Sequence, residues 1–257
     1  FSLYLSPLVA APLKATLLIP APKERIASSF IPSICKRLET PCNSTSTRAL
    51  IAKRDHQEQI YLIDTKGPLL IALDSSSPEN TALAQPFDFS QYRHSAYSNI
   101  DEEHKSIEIY PALYPLENNN YAIAIVNTTH EMYSGGGSFI STADFIHLNP
   151  AKKNPQSYQD ADVIYAGVPF SCGKLIRACF SEKDYKLHGK NCHEEYDGHL
   201  TINYGHHDQW TFFWHQSHLP AYTKKSTSII KRFTIPTQQE KPNHLNTLGL
   251  SVCGESR

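Results

Sequence analysis

Apolar positions in this chain fall in short runs rich in Ile, Val, Tyr and Phe, each closed by polar residues, proline or glycine, which is the pattern of β-strands between turns. The runs predict strands at Ala15 to Ile19, Arg48 to Arg54, Gln59 to Asp64, Pro68 to Asp74, Ser106 to Leu113 and Tyr121 to Thr128. They continue at Ser138 to Leu148, Val163 to Phe170, Leu175 to Phe180, His199 to Tyr204, Gln209 to His215 and Ile229 to Ile235. Arg54-Asp-His-Gln-Glu58 and Leu116-Glu-Asn-Asn-Asn120 read as turns between neighbouring strands. Helical periodicity is weak, with Pro22 to Ile34 and Ser181 to Leu187 the best candidates. The polar stretches Ser75 to Lys105, Asn149 to Asp162 and Gln216 to Ser228 read as loops. The fold class expected is mainly β, or α+β with few helices: antiparallel sheets in a sandwich-like arrangement with long loops, stapled by disulfides.

The segment 1–11 has two readings. Phe1 to Pro12 carries the apolar run and small-residue end of a signal peptide's final stretch, with a cut near Ala10 or Ala11; Leu3 to Leu18 also suits a buried first strand. Residues 12–257 then form a single β-rich domain, with 149–162, which holds two prolines and two lysines, as the candidate sub-domain boundary. No apolar run approaches the ~18 residues of a membrane span, so no stable span is expected.

Composition narrows the partners. With 24 basic and 25 acidic residues the net charge is -1, which argues against a broad electrostatic footprint for nucleic acid. Lys224, Lys225, Lys231 and Arg232 read as a solvated face. Hydrophobic residues at 40% and charged residues at 19% suit a packed core rather than disorder. Fourteen tyrosines and seventeen prolines against one methionine favour strands and ordered loops.

Six cysteines, Cys35, Cys42, Cys172, Cys179, Cys192 and Cys253, are an even number, as in a chain that folds in an oxidising compartment. Six allow 15 pairings. The short spacings favour Cys35 with Cys42 and Cys179 with Cys192, which leaves Cys172 to anchor Cys253. Paired cysteines leave no thiol nucleophile.

Three places carry candidate chemistry. The first is Asn127 to Ser138, read as a loop between strands, in which His130, Glu131, Met132, Tyr133 and Ser134 precede Gly135, Gly136 and Gly137. Three glycines suit backbone that takes positive φ or approaches something closely. The residues fit a recognition loop, a small active site using His130 and Glu131, or a glycine-bulged hairpin whose polar groups only face water. The second is histidine-dense, with His188, His193, His199, His206, His207, His215 and His218. His206, His207, His215 and His218 are the metal candidates, although their spacing matches no familiar signature, and a scattered surface population is the plainer reading. The third, Cys192-His-Glu-Glu-Tyr-Asp-Gly198, has calcium-like carboxylates without the alternation of an EF-hand loop, and reads as a polar turn into the His199 strand.

Other motifs carry little. Ser171-Cys-Gly-Lys174 fits Ser-x-x-Lys but lacks its downstream partners, and no nucleophile elbow, phosphate loop or dinucleotide fingerprint occurs. No cofactor is expected. Asn43-Ser-Thr45 and Asn127-Thr-Thr129 are glycosylation sequons.

Through Ile109-Tyr-Pro-Ala-Leu-Tyr-Pro115, Tyr121-Ala-Ile-Ala-Ile-Val126 and Tyr133-Ser-Gly-Gly-Gly-Ser-Phe139 the chain loosely resembles uncharacterised exported β-rich proteins of Gram-negative bacteria. The resemblance implies a compartment, the periplasm or the extracellular space. A stapled scaffold, long loops and a missing catalytic constellation together favour an exported non-enzymatic binding protein, such as a periplasmic inhibitor or immunity protein whose partner is another protein. The alternative is an exported hydrolase using His130 and Glu131 or a histidine-held metal. A third is a carbohydrate-binding module presenting Trp210 and Trp214.

Overall fold

The computed structural model describes residues 14–38, 42–54, 57–73, 84–90, 92, 105–149, 162–205, 209–234 and 253. The leader or first-strand reading of 1–11, most of the 149–162 boundary, and His206 and His207 lie outside the described residues.

Two antiparallel sheets build the protein. In chain order come β1 (Thr16–Leu17), β2 (Ile19–Pro20), α1 (Phe30–Arg37), β3 (Thr47–Arg54), β4 (Gln57–Asp64), β5 (Leu69–Leu73) and β6 (Ala84–Asp88). Then follow β7 (Lys105–Pro115), β8 (Tyr121–Tyr133), β9 (Gly136–His147), β10 (Val163–Arg177), α2 (Glu182–His188), β11 (His193–Tyr204), β12 (Trp210–Leu219) and β13 (Thr227–Thr234). The larger sheet has the order β1-β7-β8-β9-β10-β11-β12-β13 and the smaller β2-β3-β4-β5-β6. The chain therefore crosses between sheets at Leu18, which is buried.

The continuous apolar run at Tyr121 to Val126 has a direct cause: β8 is buried on both faces. Ile123 and Ile125, with Ile109, Leu113 and Ile146, pack on Leu50, Tyr61, Ile63, Leu70 and Phe87 of the smaller sheet. On the opposite face, small side chains at Ala122, Ala124 and Ala143 leave room for Tyr114, Phe145, Tyr165, Trp210 and Phe212. Phe145 of β9 and Trp210 of β12 meet with ring centroids 5.1 Å apart. Three strand spacings in a flat sheet would separate them by about 14 Å, so the larger sheet curls back upon itself.

The bend is built into β10. Its pairing with β9 shifts register between Val163 and Tyr165, Tyr165 and Val168, and Pro169 and Ser171, and Gly167 takes φ 61. The Asp144 carboxylate, fully buried, accepts the Gly167 amide at 2.6 Å and the Tyr92 hydroxyl at 2.6 Å. A buried carboxylate satisfied in this way holds a bulge in place.

Helix α1 covers the outer face of the smaller sheet, where Phe30 and Ile34 pack on Ile51, Ile60, Leu62, Leu69 and Ile71. Pro32 is tolerated because it sits in the first turn. The disulfides are Cys35–Cys42, Cys172–Cys253 and Cys179–Cys192, the pairs that the spacing favours. They mark folding in an oxidising compartment. Among the described residues no helix is long and apolar enough to cross a membrane.

Several boundaries differ from the sequence reading. The helix expected at Pro22 to Ile34 is a 3-10 turn at Lys23–Arg25 followed by α1. Ser75 to Lys105 is not all loop, since Ala84–Asp88 forms an edge strand, the position where Pro86 can sit without costing a ladder bond. Val163 to Phe170 and Leu175 to Phe180 are not two strands but parts of β10, which ends at Arg177. The polar turn expected at Cys192 to Gly198 is the first half of β11. Likewise Gln216 to Ser228 is not all loop, since β12 runs to Leu219 and β13 starts at Thr227, with His218 opposite Thr227. For β11 and the end of β12 the reason is solvent exposure, which lets ladder hydrogen bonds run under polar side chains.

Candidate functional site

The presumed loop at Asn127 to Ser138 is almost all strand. β8 and β9 pair without a break to Tyr133 opposite Gly136, so that only Ser134 and Gly135 form the turn. β10 flanks the same hairpin, placing Leu175 opposite Gly137 and Ile176 opposite Gly136. Gly136 has φ 155, and a Cβ there would lie 1.8 Å from the Leu175 carbonyl oxygen, so close approach accounts for this glycine. The Tyr133 hydroxyl donates to the Leu175 carbonyl at 3.1 Å. Strand alternation sends His130 and Met132 to one face and Glu131 and Tyr133 to the other, so His130 and Glu131 do not converge as an acid-base pair.

What the hairpin end does join is a platform. The Arg177 amide donates to the Gly135 carbonyl and its Nε to the Cys179 carbonyl at 2.6 Å. Its guanidinium lies 5.5 Å from the Phe180 ring centroid and 5.6 Å from that of Tyr185. Cys179–Cys192 closes the excursion that carries α2, and a capping box between Ser181 and Asp184 starts that helix. The Ser181 side chain and the backbone amides of Phe180 and Ser181 hold the Asp184 carboxyl below its usual range. Tyr222 completes the surface: its hydroxyl donates to the Ala178 carbonyl at 2.6 Å, and its ring lies 4.2 Å from that of His188.

Apolar side chains stand exposed across this end. Met132 is 85% exposed, Phe180 73% and Leu187 72%, joined by Tyr133, Leu175, Tyr185 and Tyr222. Seven of the twelve large exposed hydrophobics among the described residues belong to this end, Met132 and Leu175 on the His130 face of the sheet and Tyr133 on the other. Aromatic, Met and Arg side chains are the types enriched where proteins meet.

The neighbouring sheet face is polar. Register aligns His130, Phe139, Gly173 and Asp197 in one row, and Thr128, Ser141, Ser171, His199 and His215 in the next but one along the strands. A groove of about 350 Å³ runs over His130, Phe139, Gly173, Glu195 and Asp197, and the exposed Met132 and Leu175 line it as well. The His199 and His215 rings stack 4.8 Å apart, and His215 Nε2 is 2.8 Å from the Thr201 hydroxyl. His218 belongs to the opposite face, where it stacks on Tyr196 and lies 2.9 Å from Glu194 Oε1. Tyr196 also donates to Glu194, which holds that carboxyl below its usual range and pushes the phenol up to about 12. His215 and His218 are thus kept apart, and among the described residues no three His, Cys, Asp or Glu side chains gather as a metal site.

Other candidates resolve as structure. Trp210 and Trp214 are buried in the core and offer no face to a sugar. Asn127 is buried within β8 and Asn43 is exposed in a turn, its Oδ1 accepting from the Thr45 amide and hydroxyl. Ser171 and Lys174 lie in β10 around the disulfide-bonded Cys172. The sequence reading reached Met132, Tyr133 and the glycines of the platform but missed Leu175, Arg177, Phe180, Tyr185, Leu187 and Tyr222. For Phe180, Tyr185 and Leu187 a signal was available, large apolar residues in the polar segment bracketed by Cys179 and Cys192; Leu175, Arg177 and Tyr222 lie outside that segment and carry no such signal. No family model matches the chain, and neither a curated protein nor a solved structure is found to be similar to it.

Proposed function

We propose that this is an exported binding protein of the periplasm or extracellular space, an inhibitor or immunity protein that docks on another protein through the platform around Arg177. The observation that carries this reading is the exposure of Phe180, Tyr185, Leu187 and Tyr222 on and beside the excursion pinned by Cys179–Cys192 and by the Tyr222 bond to the Ala178 carbonyl, with Met132 and Leu175 exposed on the adjoining strands. Such a surface arrives at its partner already ordered, which lowers the entropic cost of association. Its centre has the composition of a binding hot spot, with aromatic rings packed about one arginine.

The test is addition of the purified full chain to exported enzymes of the same cell. One of them should lose activity in a stoichiometric complex, and Phe180→Asp with Leu187→Asp should abolish the inhibition while the thermal melt stays in place. Turnover of ester, peptide or glycoside substrates by the protein itself, or inhibition that survives both substitutions, overturns the reading.

A further inference from the structure

Where the chain crosses from the larger sheet to the smaller, a half-open cavity of about 980 Å³ runs around the β2 edge of the smaller sheet, from the core between the sheets to the underside of α1. Its wall is apolar, formed by Leu18, Ile26, Ile31, Leu50, Ile63 and Ile109. Leu18, Leu50, Ile63 and Ile109 also belong to the core between the sheets, so the cavity is continuous with that core. Folded interiors close-pack and leave few voids larger than a water molecule, whereas ligand pockets run from about 300 to 1,000 Å³ with a few polar groups at one end. This cavity is at the top of that range.

The polar groups are at the rim. Lys23, on the 3-10 turn, and Arg48, on β3, are exposed and make no ion pair among the described residues, while Glu108 of β7 is the single carboxylate of the lining. Nearby cations behave differently, since Arg25 and Lys53 both pair with Glu58. Among the lining residues two cations stand against one carboxylate, which gives the rim a net positive charge beside the apolar wall. We infer that the cavity binds a long-chain fatty acid, with the acyl chain along the wall of Leu18, Ile26, Ile31 and Leu50 and the carboxylate at Lys23 and Arg48. An apolar chain gains from leaving water, and one anionic head matches the rim charge. The inference is independent of the protein-binding platform, which shares no residue with the cavity.

The test uses the full chain, freed of lipid, with cis-parinarate as the fluorescent probe. One equivalent should bind saturably and be displaced by palmitate but not by dodecyltrimethylammonium, whose head is cationic. Lys23→Glu with Arg48→Glu should weaken palmitate at least tenfold with the thermal melt retained. Ala27→Trp, at an exposed lining position that leaves both cores untouched, should block the chamber and abolish binding with the thermal melt retained. No saturable palmitate binding, equal displacement by the cationic amphiphile, or unchanged affinity in the charge-reversed variant overturns the inference. So does protein that is depleted by phosphatidylglycerol vesicles while palmitate fails to displace the probe, since the ligand would then be a bilayer lipid.

Discussion

The Tyr133 hydroxyl donates to the main-chain carbonyl of Leu175 at 3.1 Å, tying the β8–β9 hairpin end to β10 across 42 residues of sequence. The bond lies in the platform and is exposed, so its worth is modest. Tyr133→Phe should cost about 0.5–1.5 kcal/mol in urea unfolding, toward the lower end. Gly136→Ala should cost more, about 1–3 kcal/mol, because its Cβ would meet the same carbonyl oxygen at 1.8 Å on a positive-φ backbone. Equal effects of the two substitutions would show that the hairpin end accommodates a side chain.

Gly198 marks a second close approach. A Cβ there would lie 2.4 Å from Trp214 Cζ2 and 2.7 Å from Cys172 Sγ, both of them in buried residues. Gly198→Ala should destabilise by about 1–3 kcal/mol through overpacking, with a red shift in tryptophan emission as Trp214 is displaced. An unchanged melting temperature and spectrum would contradict the packing described.

The disulfides should differ in weight. Cys172–Cys253 closes a separation of 81 residues and Cys35–Cys42 one of 7. Loop-closure entropy gives about 4.5 kcal/mol for the first and about 2.4 kcal/mol for the second. Paired Cys→Ser substitutions compared by denaturant midpoint check the order; a larger loss from the short loop would contradict it.

Much of this scaffold is legible in the sequence, and what is not legible has identifiable physical causes. Strands buried on one or both faces, such as Tyr121 to Val126 of β8, announce themselves because burial demands apolar side chains. The outer halves of β11 and β12 face solvent, so Glu194 to Asp197 and Gln216 to His218 are free to be polar and read as turn. Pro86 hid β6, since only knowledge that the strand is an edge makes proline acceptable there. At Gly136 the glycine run serves the close approach that such glycines suit, its backbone meeting the Leu175 carbonyl of β10, whereas the recognition loop expected around it is a paired hairpin. The cavity was beyond reach of sequence reading because residues from Leu18 to Pro111 assemble it through tertiary packing.

Asp64 gives a pH prediction. Burial raises its pKa, but hydrogen bonds from the Ser46 hydroxyl and the amides of Asn43, Lys66 and Gly67 outweigh this and hold it below the usual carboxylate value. The unfolded chain therefore takes up the proton first as pH falls. The stabilisation is present above the ordinary carboxylate pKa of about 4 and is lost as pH drops through the lower folded value. Asp64→Asn should lower stability at pH 7 by about 1–3 kcal/mol and flatten the acid limb of the stability curve. An acid limb identical to that of the unsubstituted protein would assign the acid sensitivity to other groups.

The protein-binding account is tested most directly by a photo-crosslinking amino acid placed at Leu187, and in a control at Asn203 near the other end of β11, in the cell that exports the protein. The account predicts one discrete adduct with a second protein from Leu187, none from Asn203, and loss of the adduct when Phe180→Asp is added. Adducts of equal yield from both positions, or none from Leu187, would contradict it.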